Sequence, residues 1–243
     1  MSKGRCAIVT YPKTGSTWLR FMIANIVADK KIDFHTMNDY VGDYHAVDMK
    51  DQEYVKTHES EADFFERYIH LVRDPFDTME SLWHYMKGTH NYRAAMEIIG
   101  ITCLEDMVLG KGTVQLTGST QSGMQAYAQH TDNASKSDKP RLLVTYEILR
   151  SNPLSALADV LTFFGIPWTE EDVCAAVDNS SFKNMEEVEA NGGKRHGDKN
   201  FKFMRKGAYG TARADMTEPT IRCIEANIKR SPLLSDLYGG KYE

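Results

Sequence analysis

Tyr11-Pro12-Lys13-Thr14-Gly15-Ser16-Thr17-Trp18 lies between two segments of different periodicity. Before it, Cys6 to Tyr11 is a short, β-branched apolar run bounded by Gly4 and Pro12, the pattern of a buried strand. After it, Thr17 to Asp29 places Leu19, Met22, Ile23, Ile26 and Val27 at helical spacing. Strand, glycine loop and helix form the opening unit of an open α/β sheet, and such sheets bind ligands beyond the carboxyl ends of their strands. A helix N-terminus there offers N–H groups and partial positive charge, which suit a phosphate or sulfate. Gly15 lets the backbone wrap an anion, Ser16 and Thr17 add hydroxyl donors, and Lys13 adds a full charge. A Walker loop is excluded, because its lysine follows a second glycine, whereas Lys13 precedes the only glycine here.

Working outward, Glu53–His58 and Tyr68–Arg73 read as strands, and Pro75 opens a helix capped by Asp74. Helices are expected over Ala94–Leu109 and Gly118–Gln129, with a polar loop over Asp132–Pro140. Arg141–Tyr146 is the next strand, followed by a helix over Pro153–Phe164 that Gly165-Ile166-Pro167 stops. Thr169 caps a helix through Val177, with Glu170, Glu171 and Asp172 in its first turn. Ala190–Asn200 is glycine-rich and charged, the composition of a loop, and Glu218–Lys229 is the last helix. Strands alternating with helices predict an α/β fold: a mostly parallel sheet flanked by helices on both faces. No repeat or linker interrupts residues 1–243, so one domain is expected.

Composition narrows the function. With 29 Lys+Arg against 34 Asp+Glu the net charge is −5, which argues against non-specific nucleic-acid binding. A chain that is 42% hydrophobic and 26% charged folds into a globule. Its four cysteines form no C-x-x-C pair, so neither a disulfide framework nor a zinc spacing is present. No apolar run approaches the roughly 20 residues of a membrane span, and the apolar stretch before Pro12 is too short for a signal peptide. The expectation is a cytoplasmic protein without membrane contact, with monomer and homodimer both open.

Residues 11–18 resemble the 5′-phosphosulfate loop of sulfotransferases that use 3′-phosphoadenosine 5′-phosphosulfate (PAPS). The resemblance implies their nucleotide-kinase-like fold, with Lys13, Thr14, Gly15, Ser16 and Thr17 holding the donor and Trp18 stacking on adenine. Val55-Lys56-Thr57-His58 is similar to the family's Lys-Thr-His, implying a lysine near the transferred group and a catalytic histidine. Strand alternation puts Lys56 and His58 on one face, and a neutral imidazole suits proton removal near pH 7. Arg73 and Ser81 match the family's pair that binds the nucleotide 3′-phosphate, and a guanidinium fork suits two phosphate oxygens. Tyr146, in Val144–Glu147, and Ser181, Phe182 and Met185, in Asn179–Met185, resemble the family's adenine-side segments. Arg205-Lys206-Gly207 resembles the element that closes over the 3′-phosphate. The family's usual Asp-Trp-Lys continuation is replaced here by Thr211-Ala212-Arg213-Ala214. Taken singly, each segment also reads as a cap, a core residue or a solvated basic surface. It is their joint occurrence in family order that carries the resemblance.

The resemblance implies in-line transfer of a sulfuryl group to a hydroxyl or amine of a small molecule, leaving 3′,5′-ADP (PAP), without a metal. Lys13 would stabilise the leaving phosphate, Lys56 the transferring oxygens, and His58 would act as base. Candidate acceptor walls are Asp39–Asp48 with Tyr40, Tyr44 and His45, the stretch Trp83–Tyr92, and the loop around Gly192. A nucleotide kinase is the first rival, though no Gly-Lys-Ser/Thr is present. A non-catalytic nucleotide-binding protein is the second, disfavoured by retention of both Lys56 and His58.

Overall fold

A computed structural model describes residues 5–44, 52–61, 64–191, 201–205 and 207–242. Strand β1 (Cys6–Thr10) is buried along its whole length and leads through the glycine loop into α1 (Ser16–Val27). A short helix α2 (Met37–Tyr40) precedes β2 (Gly42–Asp43), β3 (Tyr54–Thr57) and β4 (Arg67–Val72). Next come α3 (Pro75–Gly88), α4 (His90–Ile98), α5 (Leu104–Val108), the hairpin β5 (Gln115–Thr117) and β6 (Thr120–Gln121), and α6 (Met124–Ser135). Strand β7 (Arg141–Thr145) follows, then α7 (Tyr146–Ser151), α8 (Pro153–Phe164), α9 (Glu170–Asn179) and α10 (Phe182–Ala190). The described chain ends with α11 (Glu218–Arg230), α12 (Pro232–Tyr238) and a short turn of helix over Gly239–Lys241.

The main sheet is parallel throughout, in the order β2-β3-β1-β4-β7. Both of its faces are covered, as parallel sheets require. Ile8, Ile69 and Leu71 face the core that holds Leu19, Met22 and Ile23 of α1, Leu157 of α8 and Val173 of α9. A second core joins Tyr11 and Val72 to Met79 of α3, Tyr127 of α6, Ile224 of α11 and Leu234 of α12. Register then decides where the site falls. Val9 pairs with Thr57, Thr10 with Leu71 and Val72 with Thr145. The residues that follow these strand ends, Tyr11, His58, Arg73 and Tyr146, therefore leave the sheet along one edge.

Four expectations need correction. Ala94–Leu109 is two helices, because the chain breaks at Gly100 and restarts at Cys103, where Asp106 completes a capping box. Gly118–Gln129 is not one helix: its start belongs to the β5–β6 hairpin, and α6 begins only at Met124. That helix runs to Ser135, into the segment expected as polar loop. Tyr146 opens α7 rather than ending β7, since the Thr145 hydroxyl accepts the Ile148 N–H at 3.2 Å as an N-cap. The expected loop over 190–200 lies, from 192 onward, outside the described residues. No helix among the described residues is long and apolar enough to cross a membrane.

Candidate active site

The glycine loop turns back on itself through two residues of positive φ, Lys13 at 73° and Gly15 at 106°. Gly15 is the N-cap of α1 and supplies no side chain, so the helix end faces the cleft bare of a side-chain cap. A Cβ at Gly15 would stand 2.5 Å from the Tyr146 ring. The Thr14 hydroxyl, in contrast, turns inward: it is hydrogen-bonded to Thr10 Oγ1 and donates to the Tyr11 carbonyl at 2.9 Å. Thr14 thus latches the loop to β1, and its side chain is not among those lining the cleft.

That cleft encloses about 660 Å³ and is lined by His58, Arg73 and Tyr146 from three strand ends and by Lys13 from the loop after the fourth. Arg73 follows β4 just before Asp74, whose Oδ1 accepts the Phe76 N–H at 2.9 Å and caps α3. The Arg73 guanidinium lies 4.3 Å from the Tyr146 ring centroid and donates through Nη1 to the Lys13 carbonyl at 3.3 Å. Its Nε is buried without a hydrogen-bond partner among the described residues. Ser81, on α3, lines the same cleft. Arg205 does too, and its Nη2 pairs with Glu80 of α3 at 2.7 Å.

At the far end Trp18 donates from Nε1 to the Ser180 carbonyl at 2.7 Å and meets the Tyr146 ring edge-on at 5.9 Å. Phe182 and Met185 close this slot, and a Cβ at Gly207 would stand 2.5 Å from Phe182. Ser181 is absent from the lining because its hydroxyl caps α10, accepting Asn184 N–H at 3.3 Å. The neighbouring Ser180 lines the cleft instead, with its Oγ buried and unpartnered among the described residues. Lys206 lies outside the described residues.

At the near end, His58 Nδ1 is 2.6 Å from the Thr10 carbonyl oxygen. A carbonyl only accepts, so Nδ1 carries the proton and Nε2 keeps its lone pair. Burial, and after it the Lys56 charge, holds the imidazole well below its usual 6.5. Lys56 Nζ donates to both oxygens of Asp43, at 3.2 and 3.1 Å. Lys13 Nζ sits 3.8 Å from the Phe203 ring centroid and 4.6 Å from that of Tyr85. Beyond His58 the wall is Tyr85, Thr89, Asn91, Tyr92, Leu116 and Thr117. Of the expected acceptor walls, the stretch Trp83–Tyr92 contributes four of these, while Tyr40 does not reach the cleft and Tyr44 lines a separate one. His45 through Asp48, and Gly192, lie outside the described residues.

Three features are not singled out by the sequence reading, although Asp43 lies within the expected wall Asp39–Asp48 and reaches the cleft. Arg20 and Asp43 line the cleft and form an ion pair of 3.7 Å. A charged residue amid Leu19, Phe21, Met22 and Ile23 was the available signal, since a buried guanidinium needs an anion. The third is α6, which braces the site from behind. The Tyr127 hydroxyl donates to the Arg73 carbonyl and accepts its N–H at 3.2 Å, while His130 Nε2 meets the His58 carbonyl at 2.9 Å. Thr120 Oγ1 adds a second bond to that carbonyl at 2.7 Å.

Fold and cleft together define a parallel α/β protein with a glycine loop ending in a bare helix N-terminus, a cleft lined by lysines and arginines, and a buried, neutral histidine. The sulfotransferase domain profile matches residues 3–236, and the chain belongs to the sulfotransferase family. Cytosolic sulfotransferase 13 of Arabidopsis thaliana is 24% identical over 258 aligned residues, 94% of this chain and 77% of the relative. Cytosolic sulfotransferase 16 of the same plant is 26% identical over 242 residues, 84% and 68% of the two chains. Among solved structures, mouse sulfotransferase SULT7A1 complexed with PAP superposes with a TM-score of 0.66 at 19% identity, covering 98% of this chain and 86% of that one. Retinol dehydratase, solved with androsterone and the inactive cofactor PAP, superposes at 0.63 and 17%, covering 93% and 80%. These likenesses show that the fold is shared.

Proposed function

We propose that this chain is a PAPS-dependent sulfotransferase acting on a hydroxyl or amine of a small molecule, with His58 as general base. It would work as a single domain spanning residues 1–243, in the cytosol, where the named relatives point. PAP in the neighbouring complexes supports the donor, and androsterone beside it in one of them supports a small acceptor.

The residues present fit a bisphosphate nucleotide. A bare helix end, the Arg73 Nε and Ser180 Oγ buried without partners among the described residues, and a glycine cradle that a Cβ would fill are the features such an anion needs. Lys13, Gly15, Ser16 and Thr17 would hold the 5′ end, Arg73, Ser81, Arg205 and Lys206 the 3′-phosphate, and Trp18, Tyr146, Phe182 and Met185 the base. The donor, when bound, supplies the sulfuryl group on an anhydride to phosphate. Lys13 and Lys56 bring positive charge to where negative charge grows, the term that preorganised sites contribute most strongly. His58 takes the acceptor proton on Nε2.

The observation that carries this reading is the Nδ1 bond to Thr10, which leaves Nε2 unprotonated in a cleft shared with two lysines. Replacing His58 with Ala tests it. Sulfuryl transfer should fall about 10²–10⁴-fold while calorimetric PAP affinity stays within about threefold. Equal loss of both refutes the base assignment, and no PAP binding by the wild type refutes the donor.

A further inference from the structure

Resting on that reading, we infer that Asp43 is the positioning residue for Lys56, and that Arg20 fixes Asp43 in turn. Strand β2 is only two residues long, and its pairing sets Asp43 directly opposite Lys56 on β3. Neighbours in register on parallel strands project to the same face. Both carboxylate oxygens therefore reach the one ammonium, at 3.2 and 3.1 Å.

The carboxylate has an anchor on its other side. Arg20 Nη1 stands 3.7 Å from Asp43 Oδ2, and its Nε and Nη2 both donate to the Val41 carbonyl, the former at 3.2 Å. Nη2 also donates to Asn38 Oδ1 at 2.6 Å. One guanidinium thus ties α1 to the segment that delivers Asp43. The side chains of Arg20, Asp43 and Lys56 are 1%, 14% and 7% exposed, so this linkage lies inside the cleft wall.

The geometry explains why a carboxylate is needed there. A lysine ammonium rides on a flexible four-carbon stem with many rotamers. An ammonium that must meet developing charge at one place gains from being held there beforehand. Without Asp43, Lys56 and Arg20 would repel each other and the ammonium would lose its fixed place. With its charge already met by two cations, Asp43 is poorly placed to recruit a cationic acceptor. This separates the positioning role from amine recognition.

The test is a double-mutant cycle of Asp43→Asn and Lys56→Gln, measured with radiolabelled donor and with para-nitrophenol and tyramine as probe acceptors. Asp43→Asn should lower kcat about 10- to 100-fold on both acceptors, with KM for the donor and PAP affinity within about threefold. In the Lys56→Gln background the same change should cost less than about twofold. Asp43→Glu, which keeps the charge, should recover most of the rate and guards against misfolding of the amide variant. Wild-type kcat in Asp43→Asn overturns the inference. So does an equal loss in the Lys56→Gln background, failure of Asp43→Glu to recover any rate, or a loss confined to KM for tyramine. If Lys56→Gln itself runs at the wild-type rate, the fault lies with the site reading; if it is slow and Asp43→Asn is not, only the role of Asp43 falls.

Discussion

Replacing Gly15 with Ala should disturb the anion loop twice over, and the two costs can be separated. The backbone at Gly15 has φ 106° and ψ 9°, a region that costs an L-residue about 1–3 kcal/mol. The new methyl would also stand 2.5 Å from Tyr146 Cδ2. That ring has little room to give, because the Arg73 guanidinium lies 4.3 Å from its centroid and Trp18 packs at 5.9 Å. Forcing such an overpacked contact costs about 1–3 kcal/mol more. The sum, roughly 2–6 kcal/mol, is a large part of a typical stability of about 5–15 kcal/mol. Gly165→Ala is the control: its φ is 71°, but a Cβ there meets nothing within 4 Å. It should lose only the backbone share, about 1–2 kcal/mol. Urea unfolding of both variants gives the difference, and PAP calorimetry should show at least a tenfold loss for Gly15→Ala alone. If the two variants are equally stable and Gly15→Ala binds PAP like the wild type, the account of the cradle is wrong.

Arg73→Ala should weaken PAP binding chiefly through the 3′-phosphate, so the mutant's preference for PAP over 5′-AMP should largely vanish; an unchanged preference assigns that phosphate elsewhere. Tyr127→Phe leaves the half-buried Arg73 carbonyl and N–H without their shared partner and should cost about 1–3 kcal/mol in urea unfolding; no loss would mean that the brace is idle. Acid should also destabilise the fold early. Burial lowers the pKa of His70 to about 3 and of His130 to about 4, and holds His58 well below 6.5. Below pH 6.5 the unfolded chain therefore binds protons that the folded one refuses, and stability falls as pH drops toward those folded values. Each histidine adds about 1.4 kcal/mol per pH unit to that slope. Urea midpoints that stay flat from pH 7 to pH 5 would contradict this.

The reading from sequence succeeded where local chemistry decides the outcome. Asp74 before Pro75 gave a cap and a helix start, and Thr169 gave a second cap ahead of an acidic first turn, because these signals act within a single turn. It failed between residues 94 and 135, where helical spacing extends across Gly100 and over a hairpin that forms by pairing with itself. Sequence could not say which hydroxyls face the cleft, because a hydroxyl can serve a ligand or the backbone equally well; those of Thr14 and Ser181 bond the backbone.

By itself the sequence determined the strand-loop-helix opening, the α/β class and the presence of Lys13, Lys56, His58 and Arg73, since each rests on residue types within a few positions of one another. The tertiary structure alone decided that parallel register brings four strand ends to one edge, that His58 bonds through Nδ1, and that Asp43, Arg20 and α6 support the site. Those pairings join groups far apart in the chain, and long-range contact is a property of packing that no local pattern encodes.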